Sequence, residues 1–279
     1  MSLQLNKIKS RIKTVKGAYK VTSAMKLVST ARLSKYKNRM LANKEYQRYL
    51  DEITKVVLAN GKKIDSPFLR QNTEANKNLY IIISSTLGLC GSYNNNIFKV
   101  ADIKIQKEDD AILLGGKALS YFKNGEFTKI DDFSAYHSIN DESIIRLLVN
   151  FVEDKFIKGE YKEVHIIYTE YKNSLVFLAK DSLLLPLSIE GEKEDFPPIL
   201  EPSREVLVET LTPLYAKASI HAKLLESEVC EQAARRNAME NATDNAEEIL
   251  KDLQIEFNKA RQTAITQEIT EIVSAANAI

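Results

Sequence analysis

The chain has no tryptophan, two cysteines, six prolines and nine glycines in 279 residues. The missing tryptophan decides nothing. Cys90 and Cys230 lie far apart and form no Cys-x-x-Cys pair. That argues against a disulfide framework and a cysteine zinc site, and favours a reducing compartment. No unbroken apolar run exceeds Leu79–Ile83, whereas crossing a bilayer as a helix takes about 20 apolar residues. No secretory apolar region follows the start. An excess of charge of one sign is also missing: 39 basic against 38 acidic residues leave +1. The chain as a whole is neither polybasic nor polyacidic. With 44% hydrophobic and 28% charged residues it has globular composition. Its length suits one or two domains with a buried core.

Helix breakers are distributed unevenly. Between Met1 and Asn60 there is one glycine, Gly17, and no proline; after Pro213 there is neither for 66 residues. Every other glycine and every proline falls in the middle. Both residue types interrupt helices, so the chain reads as long helix, compact middle, long helix.

Apolar periodicity agrees. Leu5, Ile8, Ile12, Val15, Tyr19, Thr22 and Met25 recur at three or four residues, and Tyr46, Leu50, Ile53 and Val57 continue a stripe. A second stripe runs through Met239, Ala242, Ala246, Ile249, Leu253, Phe257, Ala260 and Ala264. A mean spacing near 3.5 is the pattern of a coiled-coil seam, and alanines in it let two axes approach closely. A helix of about 55 residues would be about 80 Å long. It could not bury its stripe alone, so the terminal helices are expected to pair as an antiparallel coiled coil. Several shorter helices in a bundle are the alternative.

The middle reads as α/β. Leu79–Ser85, Ala111–Gly115, Val164–Thr169 and Leu175–Ala179 have strand composition. Asn94–Ile105, Lys117–Lys123 and Asp141–Lys158 read as helices, the last with Ile144, Ile145, Leu148 and Phe151 on its apolar side. Such alternation predicts a partly parallel sheet under helical cover. The expected organisation is a discontinuous shaft (1–60 with 205–279), a central Rossmann-like α/β domain (79–189) and linkers (61–78 and 190–204).

Catalytic signatures are weak. Leu113–Ala118 approximates a phosphate loop, but Ala111 stands where the motif needs its first glycine and Ala118 where it needs a hydroxyl. A strand-to-helix turn is the better reading. Gly88-Leu89-Cys90-Gly91 could present Cys90 as a nucleophile, but nucleophilic catalysis needs a partner base. His137, His165 and His221 show no signature spacing and no metal-ligand pattern. A tight turn with a buried thiol is the simpler reading, and His165, inside a strand pattern, reads as a satisfied half-buried residue. No cofactor, metal or catalytic residue is expected.

The strongest physical signal is electrostatic. Residues 1–44 hold twelve Lys or Arg and no Asp or Glu, whereas residues 214–279 hold seven basic and eleven acidic residues. The basic flank could meet nucleic-acid phosphates, an anionic lipid surface or an acidic protein. It could also be balanced by the acidic C-terminal helix. Aromatics for base stacking are few there (Tyr19, Tyr36), and bulky membrane-seeking side chains are scarce. The chain then ends on a dense apolar set, Ile265, Ile269, Ile272, Val273, Ala275, Ala276, Ala278 and Ile279. Left in water, such a tip promotes association, so it calls for a sleeve.

Several runs resemble one family. Lys20-Val-Thr-Ser-Ala-Met-Lys-Leu-Val28, Gly88-Leu-Cys-Gly91, Glu231-Gln-Ala-Ala-Arg235, Ala238-Met-Glu-Asn-Ala-Thr-Asp-Asn245 and the long run Asn258–Val273 are similar to the gamma subunit of F-type ATP synthases, bacterial type. The resemblance spans about residue 3 to the end and is most specific at the C-terminus. It implies a coiled-coil shaft inside a ring of three alpha and three beta subunits. The α/β domain would sit below, with epsilon, on the membrane c-ring. Proton flow would turn the rotor and drive the beta catalytic sites through their conformations, making or hydrolysing ATP. Gamma itself would carry no chemistry, bind no nucleic acid and insert into no membrane. It would be peripheral, at the cytoplasmic face of the bacterial plasma membrane.

By position, the resemblance implies that Arg261 and Gln262 grip a beta loop and that Met25 and Lys26 face the beta lever. Glu201 would belong to the foot on the c-ring. Two departures stand out. Ile199 and Leu200 precede Glu201 where the family often has aromatics, and Thr86-Leu87 precede Gly88 where an Asp-Arg pair is usual. No two-cysteine insertion of the plant plastid type is present, and the chain starts with the shaft itself, which favours the bacterial type. A coiled-coil nucleic-acid binder and a nucleotide-dependent enzyme on the central domain are the rival readings.

Overall fold

A computed structural model describes residues 2–59, 66–187 and 199–277. The expected linkers fall partly outside these, at 61–65 and 190–198, as do Ala278 and Ile279 of the apolar end. Two compact units emerge. One comprises Met1–Thr30 with Arg235–Ile279, the other Ala31–Ala234. The two long helices, α1 (Ser2–Ala59) and α5 (Arg204–Asn277), contribute to both.

In the first unit α1 and α5 run antiparallel. Thr243 Oγ1 donates to Thr22 Oγ1 at 2.9 Å, and Lys26 Nζ lies 2.8 Å from Glu240 Oε1. Lower α1 numbers thus face higher α5 numbers. The α1 seam is Leu5, Ile8, Ile12, Val15, Tyr19, Thr22 and Lys26, each buried or half-buried, with Ser23 and Met25 half-buried beside it. The α5 seam is Met239, Thr243, Ala246, Leu250, Leu253, Phe257, Ala260 and Ala264. These alternate steps of three and four without a break, the heptad rule of a coiled coil. Ile249, expected in the seam, is 47% exposed. Leu250 takes its place, because a seven-residue period demands a step of four after Ala246.

The second unit is a three-layer α/β structure. Its sheet has the order β3-β2-β1-β4-β5, with β1 Leu79–Ile83, β2 Asp110–Leu114, β3 Thr128–Ile130, β4 Val164–Tyr171 and β5 Phe177–Leu185. All neighbours are parallel except β4 and β5. The predicted partly parallel sheet is therefore present. The short edge strand β3 was not anticipated: three residues carry no readable alternation. β5 starts later and runs longer than expected, because Lys180, Asp181 and Ser182 interrupt its apolar character and yet pair with β4.

Parallel strands covered on both faces read as unbroken apolar runs, and β1 and β2 are buried throughout. One face carries Leu79, Ile81, Ile83, Ile112, Leu114 and Ile166. It packs against α4 (Glu142–Ile157) through Ile145, Leu148, Val149, Val152 and Phe156, and against Leu33, Tyr36 and Met40 of α1 and Ala216, Ile220 and Leu224 of α5. The other face, with Tyr80, Ile82, Leu113 and Ile167, lies under α2 (Tyr93–Lys104) and α3 (Gly116–Tyr121).

Within this unit α1 continues its seam through Leu33, Tyr36, Met40, Asn43, Gln47, Leu50, Thr54 and Val57. Tyr46 and Ile53, expected there, are about half exposed at 48% and 51%. Polar residues occupy the true seam: Gln47 Nε2 reaches Ser219 Oγ at 3.4 Å, and Thr54 returns its hydroxyl to the Leu50 carbonyl at 2.7 Å. The end of α1 is tied to the start of α5 by Arg204, whose guanidinium donates to the Val57 and Leu58 carbonyls at 2.6 Å. Helix α5 passes through Pro213. Proline lacks an N–H and so removes the bond to the Glu209 carbonyl; buried packing by Thr212 and Ala216 on either side holds the helix there.

Candidate partner-contact sites

The chemistry that the turns could have offered is spent on the fold. Cys90 is 2% exposed, accepts from Asn94 Nδ2 at 3.2 Å and lies 3.6 Å from Ser85 Oγ. Asn94 Oδ1 in turn accepts from the Ser85 amide at 3.0 Å. The cluster closes the turn between β1 and α2, where Leu89 and Gly91 have φ of 62° and 58°. The Gly115-Gly116-Lys117 turn is equally committed. The Lys117 amide donates to the Ser85 carbonyl and the Ala118 amide to Ser84 Oγ. A phosphate loop needs such amides free. Gly115, at φ +93°, sits so close that a Cβ would collide with the Ser84 carbonyl.

His165 is half-buried and hydrogen-bonded, as its strand pattern implied. Cys230 is buried, donates to the Thr169 carbonyl at 3.4 Å and has its thiol pushed well up by desolvation. Among the described residues no group of three metal-ligating side chains converges, and no helix is long and apolar enough to cross a membrane.

The residues singled out for partner contact are on surfaces. Met25 and Lys26 lie beside α5. Lys26 keeps a third of its side-chain surface exposed and is held by Glu240. The hydrogen bond to Glu240 raises the Lys26 pKa and lowers that of Glu240. Arg261 and Gln262 are exposed on α5. They stand 21 residues beyond Glu240, about 30 Å along a helix at 1.5 Å per residue, so the structure brings Met25 and Lys26 together but keeps Arg261 and Gln262 as a separate station. Past Ala264 no α5 residue with a described side chain is buried, and Ile265, Ile269, Ile272 and Val273 are 48–69% exposed. Glu201, in the second unit, is exposed just ahead of α5 and precedes a cis Pro202. Sequence reading missed Glu240 and Thr243 as partners of Lys26 and Thr22. Continuing the heptad through polar positions would have found Thr243, whereas Glu240 flanks the seam next to Met239.

A family model described as ATP synthase matches residues 4–279. The ATP synthase gamma chain of Chlorobium luteolum is 34% identical over 287 residues, covering 99% of this chain and 98% of that protein. This chain belongs to the ATP synthase gamma chain family. The gamma chain of Mycoplasmopsis pulmonis is 37% identical over 275 residues, with 97% and 98% covered.

Among solved structures, a chain of the Euglena gracilis mitochondrial ATP synthase (OSCP/F1/c-ring, rotational state 3) aligns with a TM-score of 0.69 at 18% identity. It covers 100% of this chain and 95% of that one. A chain of the Tetrahymena thermophila central stalk and c-ring structure aligns at 0.55 and 21% identity over 80% of this chain and 99% of that one. At these identities the likeness speaks for the fold: long terminal helices with a central mixed sheet. Gamma is a non-catalytic stalk subunit.

Proposed function

We infer that this chain is the central rotor stalk of an F-type ATP synthase. It couples proton flow through the membrane sector to conformational cycling of the beta catalytic sites. Membership of the gamma chain family, matched over residues 4–279, is the observation that carries the reading. The physical features fit it: a stiff antiparallel pair, an α5 end whose apolar side chains face outward, and no assembled catalytic group among the described residues.

The partners are three alpha and three beta subunits around the shaft, with epsilon and the c-ring at its foot. In this reading 1–60 and 205–279 act together as the shaft, 79–189 as the α/β domain, and 61–78 and 190–204 as connectors. Arg261 and Gln262, exposed and uncommitted to the helix seam, are suited to grip a beta loop. Met25 and Lys26 meet the acidic beta lever, where a carboxylate competes with Glu240 for Lys26. Glu201 contacts the c-ring. The subunit is peripheral, and we place it at the cytoplasmic face of the bacterial plasma membrane.

Reconstitution with purified alpha and beta subunits tests this. The expected result is a complex with one copy of this chain per three alpha–beta pairs and ATPase activity that depends on it. Replacing Arg261 and Gln262 together with alanine should lower that activity several-fold without preventing assembly. A chain that stays apart from subunits known to be competent would end the rotor reading.

A further inference from the structure

His165, on β4, has a carboxylate at each ring nitrogen. Nδ1 lies 2.8 Å from Asp181 Oδ1 on β5, and Nε2 lies 3.0 Å from Glu163 Oε2, just ahead of β4. Ionised carboxylates only accept hydrogen bonds, and a neutral imidazole has one N–H and one lone pair. The neutral ring therefore satisfies one carboxylate and turns a lone pair toward the other. Only the imidazolium donates to both.

The surroundings make that difference count. The ring is 14% exposed and stacks on Tyr80 of β1, centroids 5.0 Å apart. Asp181 also meets Lys104, the last residue of α2, Oδ2 to Nζ at 3.5 Å. The Tyr80 hydroxyl donates to the Lys104 carbonyl at 3.3 Å. Asp109, between α2 and β2, adds a negative charge that acts on Tyr80. Three strands and the C-terminal end of α2 thus converge on one ring.

We propose that His165 is a proton-controlled fastener: its imidazolium ties β5 and the C-terminal end of α2 to β4, and loss of its proton loosens that corner. The step is one proton exchanged with water. On release an N–H bond of the ring breaks, its electron pair stays on nitrogen, and one of the two carboxylates loses its donor.

Desolvation lowers the His165 pKa, but the hydrogen bonds and charges of Asp181 and Glu163 outweigh it, and the net shift is upward from 6.5. Burial raises the Asp181 pKa, but His165 and Lys104 outweigh it, and the net shift is downward from 3.8. The sign follows by linkage. The histidine contribution is fully present below 6.5 and is lost as pH rises through the folded-state value. The Asp181 contribution is present above 3.8 and is lost as pH falls through its own. The fastener is tightest between those two values and opens toward alkaline pH.

The test is exchange of the histidine C2 proton, followed by mass spectrometry against pH on the full chain in its assembled complex. Amide exchange at Ile105, corrected for its chemical pH dependence, is read in the same samples; in the closed state that amide donates to the Ala101 carbonyl at 2.9 Å. The expected midpoint of His165 is above 6.5. It should also exceed that of His221, whose pKa is lowered by desolvation and by the nearby charge of Arg39. Protection at Ile105 should fall as pH rises through the His165 midpoint, by about tenfold for each unit of upward displacement. His165→Gln, which cannot take the proton, should show low protection at every pH. A midpoint at or below 6.5, protection that ignores pH, or a glutamine variant as protected as the parent would each overturn the proposal.

Discussion

The two units solve the burial problem in opposite ways. In the sheet unit a residue can be enclosed from above, below and both sides. Leu79, Ile81, Ile112, Leu148, Phe156 and Ile166 are all at 0% exposure. In the helix-pair unit a seam residue is covered by one facing helix. Leu5, Ile12, Val15 and Tyr19 stay half-buried, and full burial is reached only at a few positions such as Ile8, Met239 and Leu253. Since stabilisation follows apolar area removed from water, about 25 cal/mol per Å², the sheet unit holds most of the molecule's own stability. The helix pair leaves apolar and basic surface exposed. The proposed rotor reading draws on that division: one unit that holds its own shape and a helix pair with surface left uncovered.

The comparison can be broken first in the sheet unit. Phe156→Ala should cost about 3–5 kcal/mol, the range for deleting a fully buried aromatic side chain. It should appear as a large drop in the denaturant midpoint with secondary structure lost throughout 79–187. A cost below about 1 kcal/mol would contradict the assignment of α4 as core.

Gly115→Ala comes next. It forces a side chain into φ +93° and onto the Ser84 carbonyl, and strain of this kind costs about 1–3 kcal/mol. Thermal melting of the variant measures it, and an unchanged Tm would mean the turn can reorganise.

The helix pair should respond more locally. Ala246→Leu with Ala260→Leu overpacks the close approach of α1 and α5, at about 1–3 kcal/mol. Helicity of the terminal segments and assembly with alpha and beta should fall, while exchange protection of the sheet stays put. Preserved helicity and assembly would falsify the seam assignment.

The smallest effect is expected at the exposed Lys26–Glu240 pair. Glu240→Gln should leave Tm unchanged within error, because surface ion pairs are solvated and screened. It should nonetheless release Lys26 and make beta-dependent activity more sensitive to salt. A clear drop in Tm would show instead that the pair is a structural element of the coiled coil.

Much of the architecture was legible because its determinants are local. The absence of glycine and proline marks both long helices. Unbroken apolar runs such as Leu79–Ile83 mark the central strands, and Ile145, Leu148 and Phe151 mark α4. The misplacements share one cause. Tyr46, Ile53 and Ile249 are apolar and near the seam, but Gln47, Thr54 and Leu250 occupy it. Hydrophobicity alone cannot choose between adjacent positions when some seam layers are polar. β3 was missed because its three residues form a strand only through pairing with β2. The candidate contact residues came from motif resemblance. What burial adds is that Arg261 and Gln262 face outward and that Lys26 already has an intramolecular partner.

By itself the sequence determined the helix–sheet–helix order, the basic flank, the lack of a catalytic signature and the family. Each of these depends on composition, on short-range periodicity or on motifs contiguous in the chain. The tertiary structure alone decided which residues face which. It set the antiparallel register of Thr22 with Thr243, spent the turn amides on Ser84 and Ser85, and placed His165 between Asp181 and Glu163. Such pairings join residues as far as 221 positions apart, and only the packed sheet and helices determine which distant groups must share one small, poorly solvated space.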